Sequence, residues 1–338
     1  MNPLGVERVV PITNSRASYA YKFDVHAMLQ ETQKSYPGIV FDPVIDIGIL
    51  GSESPTPLLT EIVHELDGGE EITLIALFGG DGIKTKKVNT LLSLYTPDYI
   101  RQKSQILFAH FTFGEFNLEA SRYGLQPTAN SFITALYQGT ITWIDYMQSV
   151  VDTEAGVYRP GYFHSLGLFA YSVHAYENVR RPKMTRIEKI LRSVLLAATT
   201  HELAEIVVEN ESGNVFFEGS AGLVEVGKGK LIGLDLAGHK PWDREMTTIV
   251  VPGKNKREFI TNLVRGGMRS LRGDRRSNTE MLHFRGDRVV VLGVRKPTLW
   301  HYDAEPGGAK TSAVKVTMKE QSIPFLTLPN SGLIYTAP

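Results

Sequence analysis

The residues Gly79-Gly80-Asp81-Gly82 end the apolar run "ITLIALF" and precede three lysines, Lys84, Lys86 and Lys87. Two kinds of chemistry suit that spacing. Glycines lack a Cβ, so their backbone N–H groups can close on a phosphate, most effectively where a helix N-terminus follows. Gly-Gly and Asp-Gly pairs between two apolar runs are also the common signal of a tight hairpin turn. The residues beyond Gly82, "IKTKKVNTLLSLY", are rich in β-branched side chains and show no N-cap leading into a helical stripe. The favoured expectation is therefore a turn through Gly79, Gly80 and Gly82 between two strands.

Other chemistry-bearing residues lead less far. His201-Glu202-Leu203-Ala204-Glu205 has Glu205 where a helical zinc motif needs its second histidine. The segment is expected to be the polar face of a helix. The other histidines, His26, His64, His110, His164, His174, His239, His283 and His301, show no metal-ligand spacing, and no serine lies in a Gly-x-Ser-x-Gly elbow. Asp235, His239 and Asp243 in "GLDLAGHKPWD" are explained equally well as strand followed by loop. No catalytic, cofactor-binding or metal-ligating residue is assigned on these grounds, and no cofactor is expected.

Binding is better represented than catalysis. Residues 254–288 hold ten basic and four acidic residues, among them Arg265, Arg269, Arg272, Arg275, Arg276 and Arg285, set among glycines in "LVRGGMRSLRGDRRSNTEMLHFRGDR". Such a composition can follow a nucleic-acid backbone, but Phe284 alone interleaves it, so base stacking is not supported. Residues 35–83 carry nine acids and no Lys or Arg. Head-to-tail association between copies would pair Glu61, Glu65, Glu70 and Glu71 with the arginine segment and set the register. Two solvated faces, or a contact within one chain, explain the asymmetry equally well.

Several elements must carry these groups. Residues 1–60 alternate short apolar runs with Pro and Gly and read as short strands or an extended arm. "TPLLTEIVHEL" has helical spacing, "EEITLIALF" reads as a strand, "KKVNTLLSLY" as its partner, and "QILFAHFTFGEF" as extended. "NSFITALYQGTITWIDYMQSVV" suggests a helix loosened near Gly139. The clearest pattern is Thr185–Val208. Thr185 and Glu188 match a capping box, and Ile187, Ile190, Leu191, Val194, Leu195 and Ala198 form one apolar stripe. "KREFITNLVRGGMRSL" is expected to be helical up to Arg265 and to stop at Gly266-Gly267. "GNVFFEGSAGLVEVGKGKLIGLDL", "DRVVVLGV", "SAVKVTMK", "PFLTL" and "GLIYT" read as strands. The mixture is α+β.

Length and composition bound the rest. The chain has 338 residues, 42% hydrophobic, with zero formal net charge. That suffices for one elaborate domain or two smaller ones. A neutral chain is not an obvious nucleic-acid coat. With no cysteine there is no disulfide and no thiolate chemistry. No apolar run reaches membrane-spanning length, and "MNPLGVERVV" lacks a signal-peptide pattern, so no membrane partner is expected.

Three family resemblances follow from these residues. The strand ending in Gly79-Gly80-Asp81-Gly82 resembles the nucleotide-binding turn of NAD and diacylglycerol kinases, where the glycines admit phosphate and the Asp sits near the reacting group. In those families a Thr follows and starts a helix; here Ile83 follows. "GDRVVVLGVRKPTLWHYD" and "VKVTMKEQSIPFLTLPNSGLIYTA", with Pro324, Leu326 and Pro329, resemble the end of tailed-phage major capsid proteins of the Hong Kong 97 type, the lambda-like group. "FITNLVRGGM" resembles a stretch in the repeating backbone subunit of CRISPR effector complexes, which polymerises along RNA.

The capsid resemblance implies an α+β fold with an N-terminal arm (1–60), an extended β-hairpin (61–110) and a mixed core (111–338) containing a spine helix at 185–208. It implies a non-enzymatic, self-assembling shell protein of a bacteriophage virion, assembled in the host cytoplasm. Its partners would be further copies of itself, with nucleic acid a second partner through residues 254–288. The RNA-polymerising subunit is the alternative and the nucleotide-dependent kinase the third.

Overall fold

A computed structural model describes residues 3–15, 23–47, 71–79, 105–112, 125–151, 154–161, 163–178, 186–227, 246–272, 278–286, 288–302, 305–306 and 310–328. The chain divides into two compact units, Met1–Asp145 with Glu320–Pro338, and Tyr146–Lys319.

The first unit is built on a parallel sheet. Its strands are β1 (Val6–Thr13), β2 (Val40–Phe41), β3 (Ile45–Asp46), β4 (Ile72–Gly79) and β5 (Ile106–Thr112). The end of β16 (Thr311–Thr327) joins them at Phe325 opposite Phe108. β1 pairs with β2 and β3 along one edge and with β4 along the other, and β4 pairs with β5, all parallel. Parallel strands need both faces covered, which is why β1 and β4 are near-continuous apolar runs. Leu74, Ile75, Ala76, Leu77 and Phe78 are fully buried.

Two helices of this unit lie among the described residues. α1 (Val25–Ser35) starts at Asp24, whose carboxylate accepts the Ala27 N–H, and buries Val25, Met28, Leu29 and Thr32 at helical spacing. α2 (Ala129–Gln138) starts at Thr128 and packs Phe132 against the stacked pair Phe111 and Phe78, at ring-centroid distances of 4.7 and 6.4 Å. The chain then enters β6 (Thr140–Val151), where Thr142 hydrogen-bonds Thr327 at 2.8 Å.

The second unit is antiparallel. It contains β7 (Glu154–Gly161), β8 (Phe163–Gly167), β9 (Ala204–Asn210), β10 (Val215–Gly227), β11 (Thr247–Pro252), β12 (Leu282–Arg285), β13 (Val289–Thr298), β14 (Trp300–Tyr302) and β15 (Glu305–Pro306). Strand order runs β15-β14-β8-β10-β9-β13-β16, with β11 between β10 and β12. β10 is long enough to pair β9 with its first half and β8 and β11 with its second. Among the described residues the unit also has the helices α3 (Leu168–Asn178), α4 (Arg186–Thr200) and α5 (Lys256–Leu271). Leu168, Ala197, Leu223, Ile249, Val251, Phe259 and Met281 form the core beneath them.

Several expectations are corrected. β4 is hydrogen-bonded on both edges from Thr73 to Phe78, so no edge is free for a hairpin partner, and the extended hairpin of 61–110 is replaced by parallel β4 and β5. The partner strand assigned to "KKVNTLLSLY" and the helix "TPLLTEIVHEL" lie outside the described residues. Of residues 1–60, the described part shows the expected short strands β1, β2 and β3 rather than an arm: β1 is an inner strand and Asp24 starts a helix. The helix through Gly139 ends there, and the β-branched run Thr140-Ile141-Thr142 begins a strand instead. The spine helix of 185–208 ends at Thr200, because Glu205–Val208 pair with β10. Its expected stripe also fails at Leu195, which is 67% exposed, while Ser193 and Ala197 face inward.

α5 does not stop at Gly266-Gly267. Asn278 Nδ2 donates to the Gly266 carbonyl at 2.7 Å, and a Cβ on Gly266 would lie 2.6 Å from Met281 Cβ. The glycine is there for close packing of helix on chain, not for a turn. Beyond it, a Cβ on Gly267 would find its nearest neighbour, Met281 Cε, at 4.0 Å. We therefore predict opposite effects in thermal melts. Gly266→Ala destabilises by about 1–3 kcal/mol through overpacking. Gly267→Ala stabilises by up to about 1 kcal/mol through helix propensity.

Candidate functional site

In the first unit, β1 has β2 and β3 on one side and β4 on the other. The order of connection therefore reverses between β1 and β4, and in open parallel sheets ligands bind outside the carboxyl ends of the strands at such a reversal. The carboxyl end of β4 is Gly79. Gly80, Asp81 and Gly82 follow it in sequence and lie outside the described residues. The carboxyl end of β1 is Thr13, followed by Asn14 and Ser15.

Backbone and side-chain hydrogen bonds hold this end of the sheet. Asn14 N–H donates to the Phe78 carbonyl at 3.2 Å, and Ile47 N–H to the Thr13 carbonyl at 2.9 Å. Asp46, at the end of β3, accepts the Ser15 N–H at 3.0 Å. His110 on β5 is fully buried, and its Nε2 lies 3.3 Å from the Gly79 carbonyl. A carbonyl only accepts, so this bond requires the tautomer with hydrogen on Nε2. The start of the glycine run is thus tied to the neighbouring strand by a side chain as well as by the ladder. Asn14, Ser15, Asp46 and His110 escaped the sequence reading. The available signal was the apolar run "RVVPIT" ending in two small polar residues, the same strand-then-loop pattern as at Gly79.

A second polar concentration lies inside the second unit. Ser165 on β8 stands opposite Glu225 on β10 and opposite His301 on β14; Ile249 and His283 extend the same row across β11 and β12. Partners directly opposite share a face. Ser165, Glu225 and His301 are all buried, and Ser165 Oγ and Glu225 Oε2 have no hydrogen-bond partner among the described residues. At the end of the row, His283 Nε2 shares a hydrogen bond of 3.0 Å with Ser270 Oγ of α5. Burial pushes Glu225 well above the usual carboxylate range. Burial pushes His164 and His301 down to about 3, the latter helped by His164 and His174.

The remaining candidates are placed as follows. Glu71 is exposed at the start of β4, and Glu61, Glu65 and Glu70 lie outside the described residues. Arg265 and Arg269 on α5, Arg272 at its C-cap and Arg285 on β12 are exposed, with Arg269 paired to Glu280 at 2.8 Å. Arg275 and Arg276, and Asp235, His239 and Asp243, lie outside the described residues. His201-Glu202-Leu203 is no helix: His201 is buried beyond the end of α4, its Nδ1 is 3.1 Å from the Ala197 carbonyl, and its ring packs against Phe259. No cluster of metal-binding side chains occurs among the described residues.

No family model matches this sequence, and no curated protein does. Solved structures do match over nearly the whole chain. A diacylglycerol kinase from Bacillus anthracis str. Sterne is similar with a TM-score of 0.62 at 15% identity, covering 97% of this chain and 98% of that one. Two further structures from the same organism, each named as a candidate diacylglycerol kinase, give 0.64 and 0.63 at 16% identity, covering 97% and 96% of this chain and 99% and 98% of theirs. The fold therefore resembles that of bacterial diacylglycerol kinases, an α/β architecture with mixed sheets. The expected Hong Kong 97-like capsid fold is corrected by this likeness. With it go the readings drawn from that resemblance: a shell subunit, a non-enzyme and a virion component. The RNA-polymerising alternative finds no support in the fold either.

The buried acid and histidines oppose one another in pH. Burial raises Glu225 well above its unfolded range, so its contribution is full below about pH 4.5 and is lost as pH rises. His164 and His301 are neutral when folded, so theirs is full above about pH 6.5 and is lost as pH falls toward 3. Glu225→Gln keeps the shape and removes the ionisable group. Its melting temperature at pH 8 should exceed that of the parent by about 2–4 °C or more, the scale of 1 kcal/mol in a domain of this size. The advantage should vanish below pH 4.5.

Proposed function

We propose that this chain is a kinase that transfers the terminal phosphoryl group of a nucleoside triphosphate to a lipid hydroxyl. The observation that carries the reading is the position of Gly79 at the carboxyl end of β4, beside the end of β1, where the order of connection in the parallel sheet reverses. A glycine run there lets backbone N–H groups approach phosphate without side chains in the way. The names of the structural neighbours supply the class of acceptor, the hydroxyl of a diacylglycerol.

The roles follow from the residues. Gly79, Gly80 and Gly82 form the phosphate cradle. The carbonyl of Gly79 is held by His110, which fixes the start of the run. Asn14 and Ser15, secured by Phe78 and Asp46, form the opposite lip. Asp81 is the ionisable side chain of the run. It accepts the proton of the acceptor hydroxyl as that oxygen bonds to phosphorus and the bond to the leaving diphosphate oxygen breaks. Ile83 stands where the related turns have Thr, so the cradle uses backbone groups and no hydroxyl at that position.

The test is transfer of labelled phosphate from ATP to diacylglycerol in mixed micelles, with nucleotide binding measured in parallel. Asp81→Asn should lower turnover by about 100-fold or more while changing nucleotide affinity only a few-fold, the pattern of a lost general base. Gly80→Val should abolish nucleotide binding. A parent protein that binds no nucleotide and labels no lipid would overturn the proposal.

A further inference from the structure

The outer side of α5 carries an apolar stripe. Ile260, Val264 and Met268 are 44%, 60% and 50% exposed, and their spacing of four places them on one side of the helix. The opposite side is buried through Phe259, Gly266 and Ser270. A helix packed on a sheet needs only one apolar face, so this second stripe has no role in the fold of the unit. At its start α5 meets the end of α4, where Lys256 Nζ donates to the Thr199 carbonyl at 2.9 Å. The last turns of α4 expose Leu195 and Leu196.

Charge identifies what such a surface fits. Arg257, Arg265 and Arg272 are exposed beside the stripe and have no ion-pair partner among the described residues. The acid of α5, Glu258, is turned to the helix start, where it accepts the Lys254 N–H. An isologous contact between two copies would set these arginines against each other. Nucleic acid would leave the aliphatic side chains in water, since bases stack on aromatic rings. An anionic bilayer surface satisfies both sets: aliphatic side chains enter the acyl boundary while arginines meet lipid phosphates.

We propose that the outer face of α5, with the end of α4, docks the protein on an anionic membrane surface. Ile260, Val264 and Met268 enter the interface, and Arg257, Arg265 and Arg272 pair with headgroup phosphates. This is peripheral binding; no helix among the described residues is long and apolar enough to cross a membrane. The inference is independent of the glycine run, and its test contains no nucleotide.

The experiment is co-sedimentation of the full chain with vesicles of phosphatidylcholine alone or mixed with phosphatidylglycerol. Binding should require phosphatidylglycerol and weaken steeply at high salt. Arg265→Ser and Arg272→Ser should each weaken it about fivefold. Val264→Glu combined with Met268→Glu should abolish it while leaving the melting temperature unchanged, because both side chains are exposed. Equal binding to both vesicle types, or a Val264→Glu, Met268→Glu double variant that still binds, would overturn the proposal. So would a self-associated parent that Val264→Glu makes monomeric without loss of vesicle binding, or co-purifying RNA that the arginine variants release.

Discussion

The first unit is organised by the saturation of β4. Its backbone is paired with β1 on one edge and β5 on the other, and its side chains from Leu74 to Phe78 are fully buried. A parallel strand so enclosed can be left only from its carboxyl end, across the rim of the sheet. That puts Gly79 at the rim, next to the end of β1. Asn14 N–H on the Phe78 carbonyl and His110 on the Gly79 carbonyl hold that end of the strand in place.

The second unit solves a different problem. An antiparallel sheet can hold polar residues on a covered face only if they are paired or neutral. Ser165, Glu225 and His301 form a row in which the acid is kept protonated and the histidine unprotonated, both by burial. Acid and base here are each held in the uncharged form by the lack of water. The unit carries this polar row close to Trp300 and Leu166, which are buried beside it in sequence.

α5 shows how one helix can serve two surfaces. Phe259 and Gly266 fit it closely to the sheet and to Met281, while Ile260, Val264 and Met268 face outward. Glycine in mid-helix costs propensity, about 1 kcal/mol relative to Ala. At Gly266 that cost is offset by an approach no other residue permits. Arg257, Arg265, Arg269 and Arg272 are spread along the exposed side, and one of them, Arg269, is spent on Glu280.

How much was legible depended on whether a signal was local. β1, β4, β5, β10 and β13 follow from apolar runs, and the first part of α5, up to Arg265, from its residue pattern, because such patterns need no knowledge of neighbours. Asp24 with Val25, Met28, Leu29 and Thr32 was an equally local signal for α1, obscured by surrounding Pro and Gly. What Gly79 does was not local. The sequence determined that a glycine run follows a buried strand, and a hairpin and a phosphate cradle share that signature. Only the tertiary structure removed the hairpin partner, by pairing β4 in parallel on both edges so that none could attach. The same holds for Leu195, which the helical period placed inside and the packing of Ser193 and Ala197 turned outward. A period names a face; the contacts made across the core select which face is buried, and those depend on residues far away in the chain.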